Sequence, residues 1–114
     1  MIVEDEALIA YSLEDALRDF GMDVAGPFAS CAEALACLCG SQVPALAVVD
    51  AVLRDGTCLE LARELTRRHV PFLIYSGRDA FEEHPPELNG IPWLEKPCPP
   101  EAVAKAAARL LAPS

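Results

Sequence analysis

No stretch of this chain approaches the ~20 consecutive apolar residues of a bilayer-spanning helix, and no leader-like layout of charge, apolar run and small residues opens it. A membrane role is therefore not expected, and the chain reads as soluble and cytoplasmic. Positive charge is also scarce. Nine Lys and Arg stand against 18 Asp and Glu, for a net charge of −9, so a direct grip on nucleic acid or on an anionic lipid surface is not expected either. A cation or a basic protein surface suits the chain better. The five cysteines, Cys31, Cys37, Cys39, Cys58 and Cys98, are odd in number and lack C-x-x-C spacing. They read as small apolar core residues in a reducing compartment rather than as disulfides or metal ligands. No internal repeat or low-complexity linker is visible, and 114 residues make one domain, 1–114, with a real core.

Short apolar runs alternate with amphipathic stretches. Strands are expected at Met1–Val3, Met22–Ala25, Leu46–Val49, Pro71–Tyr75 and Ile91–Leu94. Between them, Glu6–Phe20 carries Ile9, Leu13, Ala16, Leu17 and Phe20 at helical spacing and stops at Gly21, the residue that tolerates a left-handed helix end. Ser30 with Glu33, and Thr57 with Glu60, have the capping-box spacing that opens helices ending near Gly40 and His69. Pro100 suits the first turn of a last helix, Glu101–Leu111, that stops before Pro113. The proline-rich stretch 77–90 allows at most a short helix around Asp79–Glu83 and is expected to be the most mobile face. Strict alternation with continuously apolar strands predicts an α/β fold, a doubly wound parallel sheet with helices on both faces. Sheets of that kind place their sites at the carboxyl ends of the strands.

Those ends carry the chemistry. Strand one ends in Glu4-Asp5-Glu6, strand three in Asp50, strand four in Ser76-Gly77, and strand five in Glu95-Lys96-Pro97. An ionised Asp at the end of the apolar run "ALAVV" costs several kcal/mol unless compensated. Carboxylates crowded on one rim repel, and a hard divalent cation such as Mg2+ relieves the repulsion while keeping several waters. That set fits phosphoryl transfer: Asp50 as nucleophile, Lys96 neutralising one phosphoryl oxygen and Ser76 donating to another.

With Glu4-Asp5 in "IVEDE", Asp50 in "VVDAVLRDG", Ser76 in "LIYSG" and Lys96-Pro97 in "WLEKP", the chain resembles, over its whole length, the receiver domain of two-component response regulators. The resemblance implies a five-stranded, flavodoxin-like sheet of order 2-1-3-4-5. It implies that Asp5 and Asp50 bind Mg2+ directly, Glu4 through water, and that the Val52 backbone carbonyl adds a further oxygen. Asp50 would accept phosphate from a phosphohistidine on a sensor histidine kinase or a histidine phosphotransferase. The aspartyl phosphate would then change binding to a downstream protein target through the face of helix four, strand five and helix five; whether a homodimer forms through that face is left open by the sequence. Ser76 and Trp93 resemble the pair whose joint movement reports phosphorylation.

The "PF" to "SG" wording of residues 71–77 resembles stand-alone receivers with a Phe-x-Phe-Ala-Thr-Gly ending. Here Tyr75 replaces the usual Ala, which bears on the switch, and Ser76 replaces Thr. Arg54 stands where a proline is common, which should loosen that turn. The resemblance puts Val52 and Arg78 at positions that flank the phosphoryl group, and an apolar Val52 should orient water poorly, so self-dephosphorylation is expected to be slow. No other enzymatic activity is expected. His69 and His84, at a helix end and in a proline-rich loop, are read as solvated or capping residues. A dehalogenase-type nucleophile would need a second Asp at position 52, and a flavin module would need a Ser/Thr/Gly-rich phosphate loop after strand one; both are missing. The remaining alternative is a degenerate receiver that binds a partner constitutively without being phosphorylated.

Overall fold

A computed structural model describes residues 1–40, 43–77, 81, 83 and 85–111. The expectations for Arg78, for His84, for most of the Asp79–Glu83 helix and for the stop at Pro113 fall outside the described residues. Four parallel strands form the sheet in the order β1 (Ile2–Val3), β2 (Ala47–Val49), β5 (Phe72–Ser76), β6 (Trp93–Glu95). In register, Val3 pairs with Val49, Val49 with Ile74, and Ser76 with Glu95. Around them lie the helices α1 (Ala7–Asp19), α2 (Cys31–Leu38), α3 (Leu59–Arg67) and α4 (Pro100–Leu111), with a 3-10 turn at Pro86–Leu88.

Side-chain alternation along the strands splits the core in two. Val3, Ala47, Val49, Phe72 and Ile74 pack with Ala34 and Leu38 of α2 and Leu61 and Leu65 of α3. Ile2, Val48, Leu73 and Tyr75 pack with Leu13 and Leu17 of α1 and Val103 and Ala107 of α4. Both faces of the sheet are thus covered, which is why its strands have no polar side.

The expected second strand is the main correction: among the described residues the sheet has four strands, not five. Residues 22–25 do lie beside β1, since Ile2 N–H donates to Ala25 O at 3.1 Å and Glu4 N–H to Phe28 O at 2.9 Å. Only an isolated parallel bridge, Val3 with Phe28, forms. Gly26 at φ 96° and Pro27, which has no N–H to donate, break the ladder between those two contacts. The order is therefore that of the expected sheet with its first edge left irregular.

Three local corrections follow. Thr57 does not cap α3: it pairs with Val52 in a hairpin of β3 (Val52–Leu53) and β4 (Gly56–Thr57), and the helix starts one residue later, after Cys58. That hairpin also closes the turn expected to be loose at Arg54. Phe20 lies past the last turn of α1 and is exposed instead of joining the core. Cys31 and Cys58 are buried as expected, but Cys39 is exposed; all five cysteines are free.

Helix ends follow backbone chemistry closely. At the end of α1, Gly21 at φ 84° lets Met22 N–H reach Leu17 O at 3.1 Å and Gly21 N–H reach Arg18 O at 2.9 Å. His69, at φ 59°, serves the same role after α3, with Val70 N–H on Leu65 O at 2.9 Å. At the start of α2, Ser30 Oγ accepts from Glu33 N–H at 3.1 Å, while the Glu33 carboxylate accepts from Ala29 N–H at 3.2 Å.

Candidate functional site

β1, β2, β5 and β6 run parallel, so their carboxyl ends open on one rim, and each end delivers a polar residue there. Glu4 and Asp5 follow β1, Asp50 follows β2, Ser76 closes β5 and Lys96 follows β6. Glu4, Asp50 and Ser76 are only 4%, 7% and 4% exposed, so the rim is a buried pocket of charge rather than a solvated edge. Lys96 Nζ donates to Glu4 Oε1 at 2.7 Å and to Asp50 Oδ2 at 2.9 Å. The other Asp50 oxygen, Oδ1, accepts from Ser76 Oγ at 2.8 Å and from Val52 N–H at 3.2 Å. Glu4 Oε2 accepts from Glu6 N–H at 3.4 Å, at the start of α1.

Two carboxylates this close cannot hold their charge equally. Burial pushes Glu4 up from 4.5 to about 7; the Lys96 ammonium opposes the rise and Asp50 reinforces it. Burial also acts to raise Asp50, but the Lys96 ammonium, Glu4, the Ser76 hydroxyl and the Val52 N–H outweigh it and hold the carboxyl below its usual range. Lys96 is pulled down by burial and pushed up further by Glu4 and Asp50, so its ammonium stays protonated. The two carboxyls are thus pushed in opposite directions, Glu4 up by burial and Asp50 down by its hydrogen-bond donors.

One oxygen from each of Glu4, Asp5 and Asp50 lies within 4.8 Å of the others. This is an all-oxygen, hard donor set whose charge exceeds that of the single Lys96 ammonium, and it fits a small divalent cation such as Mg2+.

The sheet sorts the remaining candidates by face. Ser76 and Trp93 lie on the α2/α3 face, where Trp93 packs against the core and meets Phe81 edge-on at 6.2 Å between ring centroids. Tyr75 lies on the other face, with its ring centroid 5.4 Å from Lys96 Nζ and its hydroxyl donating to Cys98 O at 3.0 Å. Val52 is exposed beside Asp50. His69 is spent on the helix end.

One role escaped the sequence altogether. Asp55, at the hairpin turn after Asp50, accepts from the first-turn N–H groups of α2, Cys31 at 2.9 Å and Ala32 at 3.1 Å. These bonds hold its carboxyl below the usual range. No spacing rule links positions 55 and 31, so no local signal would have found the pair.

Neither a protein-family model nor a curated protein matches the sequence significantly. Solved structures do. SdrG from Sphingomonas melonis Fr1 is 35% identical over 97% of this chain and 93% of its own, with a TM-score of 0.77. The receiver domain of NtrX from Brucella abortus is 25% identical over 99% of this chain and 98% of its own, with a TM-score of 0.83.

This chain is a response-regulator receiver domain.

A receiver protein from Sinorhizobium medicae WSM419 is similar over 96% of the chain and 90% of its own, at 25% identity and a TM-score of 0.82. The receiver is a module of two-component signalling and in general not an enzyme. Its acidic cluster is of the kind such domains use to hold a metal, and no helix among its described residues is long and apolar enough to cross a membrane.

Proposed function

We propose that this receiver is a phosphoacceptor: Asp50 takes a phosphoryl group from a phosphohistidine of a sensor histidine kinase or histidine phosphotransferase and so switches binding to a downstream protein. The observation that carries this reading is the division of labour on Asp50. One oxygen is bonded to Ser76 and the Val52 N–H, the other to Lys96. An Asp50 oxygen attacks phosphorus, the P–N bond to the donor imidazole breaks, and the leaving nitrogen keeps the electron pair. As negative charge spreads over the phosphoryl oxygens, Lys96 and Ser76 are placed to move from the carboxylate onto them. Glu4, Asp5, Asp50 and the Val52 carbonyl would hold Mg2+, and the metal, when bound, supplies charge neutralisation at the phosphoryl group. Ser76 and Trp93, on one face of the sheet, are the residues through which the phosphorylated state would reach the surface along the edge strand β6.

The acceptor chemistry is tested by incubating the protein with acetyl phosphate and Mg2+ and measuring intact mass. One phosphoryl group on the wild type and none on Asp50→Asn is the expected result. No addition to either protein would instead make this a receiver that binds its partner without phosphorylation. Val52 offers no polar group to orient water, so the phosphorylated protein should persist; a half-life of only seconds in Mg2+ would show that another group performs that task.

A further inference from the structure

Tyr75 is a large polar-tipped aromatic inside the second core cluster, yet both of its polar contacts face the rim. It is paired in register with Leu94, so Lys96, two residues further along, stands diagonally across from it on the same face of the sheet. The Lys96 ammonium lies 5.4 Å from the ring centroid, within the range at which an aromatic face attracts a cation. The phenol hydroxyl donates to Cys98 O at 3.0 Å, tying down the main chain two residues beyond the lysine. Tyr75 itself has little freedom, being 6% exposed and packed among Leu13, Leu73 and Val103.

Lys96 is held by its bonds to Glu4 and Asp50, but a lysine side chain always has a competing solvated state. Its four-carbon stem is flexible and its ammonium is strongly hydrated, so extension into water competes with the bonds to Glu4 and Asp50. A ring on one side removes that exit, and a fixed backbone beyond removes the slack. We propose that Tyr75 is a positioning residue for Lys96: its ring face and its bond to the 96–98 main chain keep the ammonium between Glu4 and Asp50. The kinetic consequence rests on the reading of Asp50 as phosphoacceptor; the positioning does not.

Two variants and two readouts test this. Tyr75→Leu removes ring and hydroxyl but keeps apolar bulk, and Tyr75→Phe removes the hydroxyl alone. In Mg2+-free protein, the Lys96 ammonium 1H–15N signal, visible while its protons are held in hydrogen bonds, should persist in the wild type and Tyr75→Phe and vanish in Tyr75→Leu. With saturating Mg2+, phosphorylation by acetyl phosphate should slow about tenfold in Tyr75→Leu and less than about threefold in Tyr75→Phe. Mg2+ affinity by calorimetry should fall in neither variant, because Tyr75 touches no carboxylate of the cluster, and it should rise in Tyr75→Leu as the ammonium competing for Glu4 and Asp50 is released. A general packing defect would instead lower affinity and rate together in both variants, and that outcome overturns the proposal. So does a protected Lys96 signal with a wild-type rate in Tyr75→Leu. If the wild type takes no phosphate while the Lys96 signal behaves as described, the acceptor reading falls and the positioning stands. Should Tyr75→Leu fail to fold, Tyr75→Met, flexible and apolar, decides by the same two readouts.

Discussion

At the scale of single residues, Lys96 and Glu4 carry the sharpest expectations. Lys96 is the only ammonium bonded to Asp50 among the described residues, at 2.9 Å. Lys96→Met should therefore slow phosphorylation by acetyl phosphate on the order of a hundredfold, the usual cost of losing one preorganised charge partner, with stopped-flow or intact-mass rates as the check. Glu4 makes the metal-free protein sensitive to pH. Its folded pKa of about 7 lies above its ordinary 4.5, so the folded chain binds this proton more tightly than the unfolded chain. The stability it contributes is full below pH 4.5 and is lost as the pH rises through about 7. Asp50 acts with the opposite sign: its depressed pKa adds stability above its ordinary 3.8, and that is lost on further acidification. Between 4.5 and 7, urea unfolding in EDTA should show stability falling with pH in the wild type and a flatter profile in Glu4→Gln. His69 is a third residue-scale case. A side chain held at φ 59° is strained where glycine is not, so His69→Gly should raise stability by about 0.5–1 kcal/mol in thermal unfolding.

At the scale of elements, α2 and the irregular edge are decided by partners distant in sequence. The eight residues of α2 are short for a helix that must stand alone. Its two ends are held by charged side chains from elsewhere: Asp55 on the N–H groups of Cys31 and Ala32, and Arg68 donating to Leu38 O at 2.6 Å. Asp55→Ala should speed hydrogen exchange of the first turn of α2 and lower the melting temperature, while leaving exchange in α1 and α4 unchanged. That outcome would also show that the hairpin after Asp50 and the start of α2 move as one unit. The edge beside β1 rests on Gly26. A Cβ there would sit 2.9 Å from Phe28 N and 3.0 Å from Ile2 O, both main-chain atoms, at φ 96°. Gly26→Ala should cost about 1–3 kcal/mol in denaturant unfolding, since neither backbone can retreat without breaking the bonds to β1. Both features lay outside what local pattern could show. The Ser30 capping box was legible because its donor and acceptor are three residues apart; the Thr57 match failed because pairing with Val52 claimed the backbone first.

At the scale of the whole molecule, the sheet separates two core clusters among the described residues. Leu61 lies in one and Leu73 in the other, both fully buried. Leu61→Ala and Leu73→Ala should each cost about 2–5 kcal/mol, and the double variant close to their sum, measured by urea unfolding. The sequence alone determined the alternation of strands and helices, the two-sided sheet and the rim on which Glu4, Asp5, Asp50, Ser76 and Lys96 converge. Each of those follows from local periodicity and from the rule that parallel strands end on one side. Tertiary structure alone decided which carboxyl is pushed up and which is held down, that Asp55 caps a distant helix, that the first edge stays irregular, and that Tyr75 faces Lys96 instead of Ser76. Those depend on distances of a few ångströms between residues 23 to 92 positions apart, which the chain sets only when its faces close on each other.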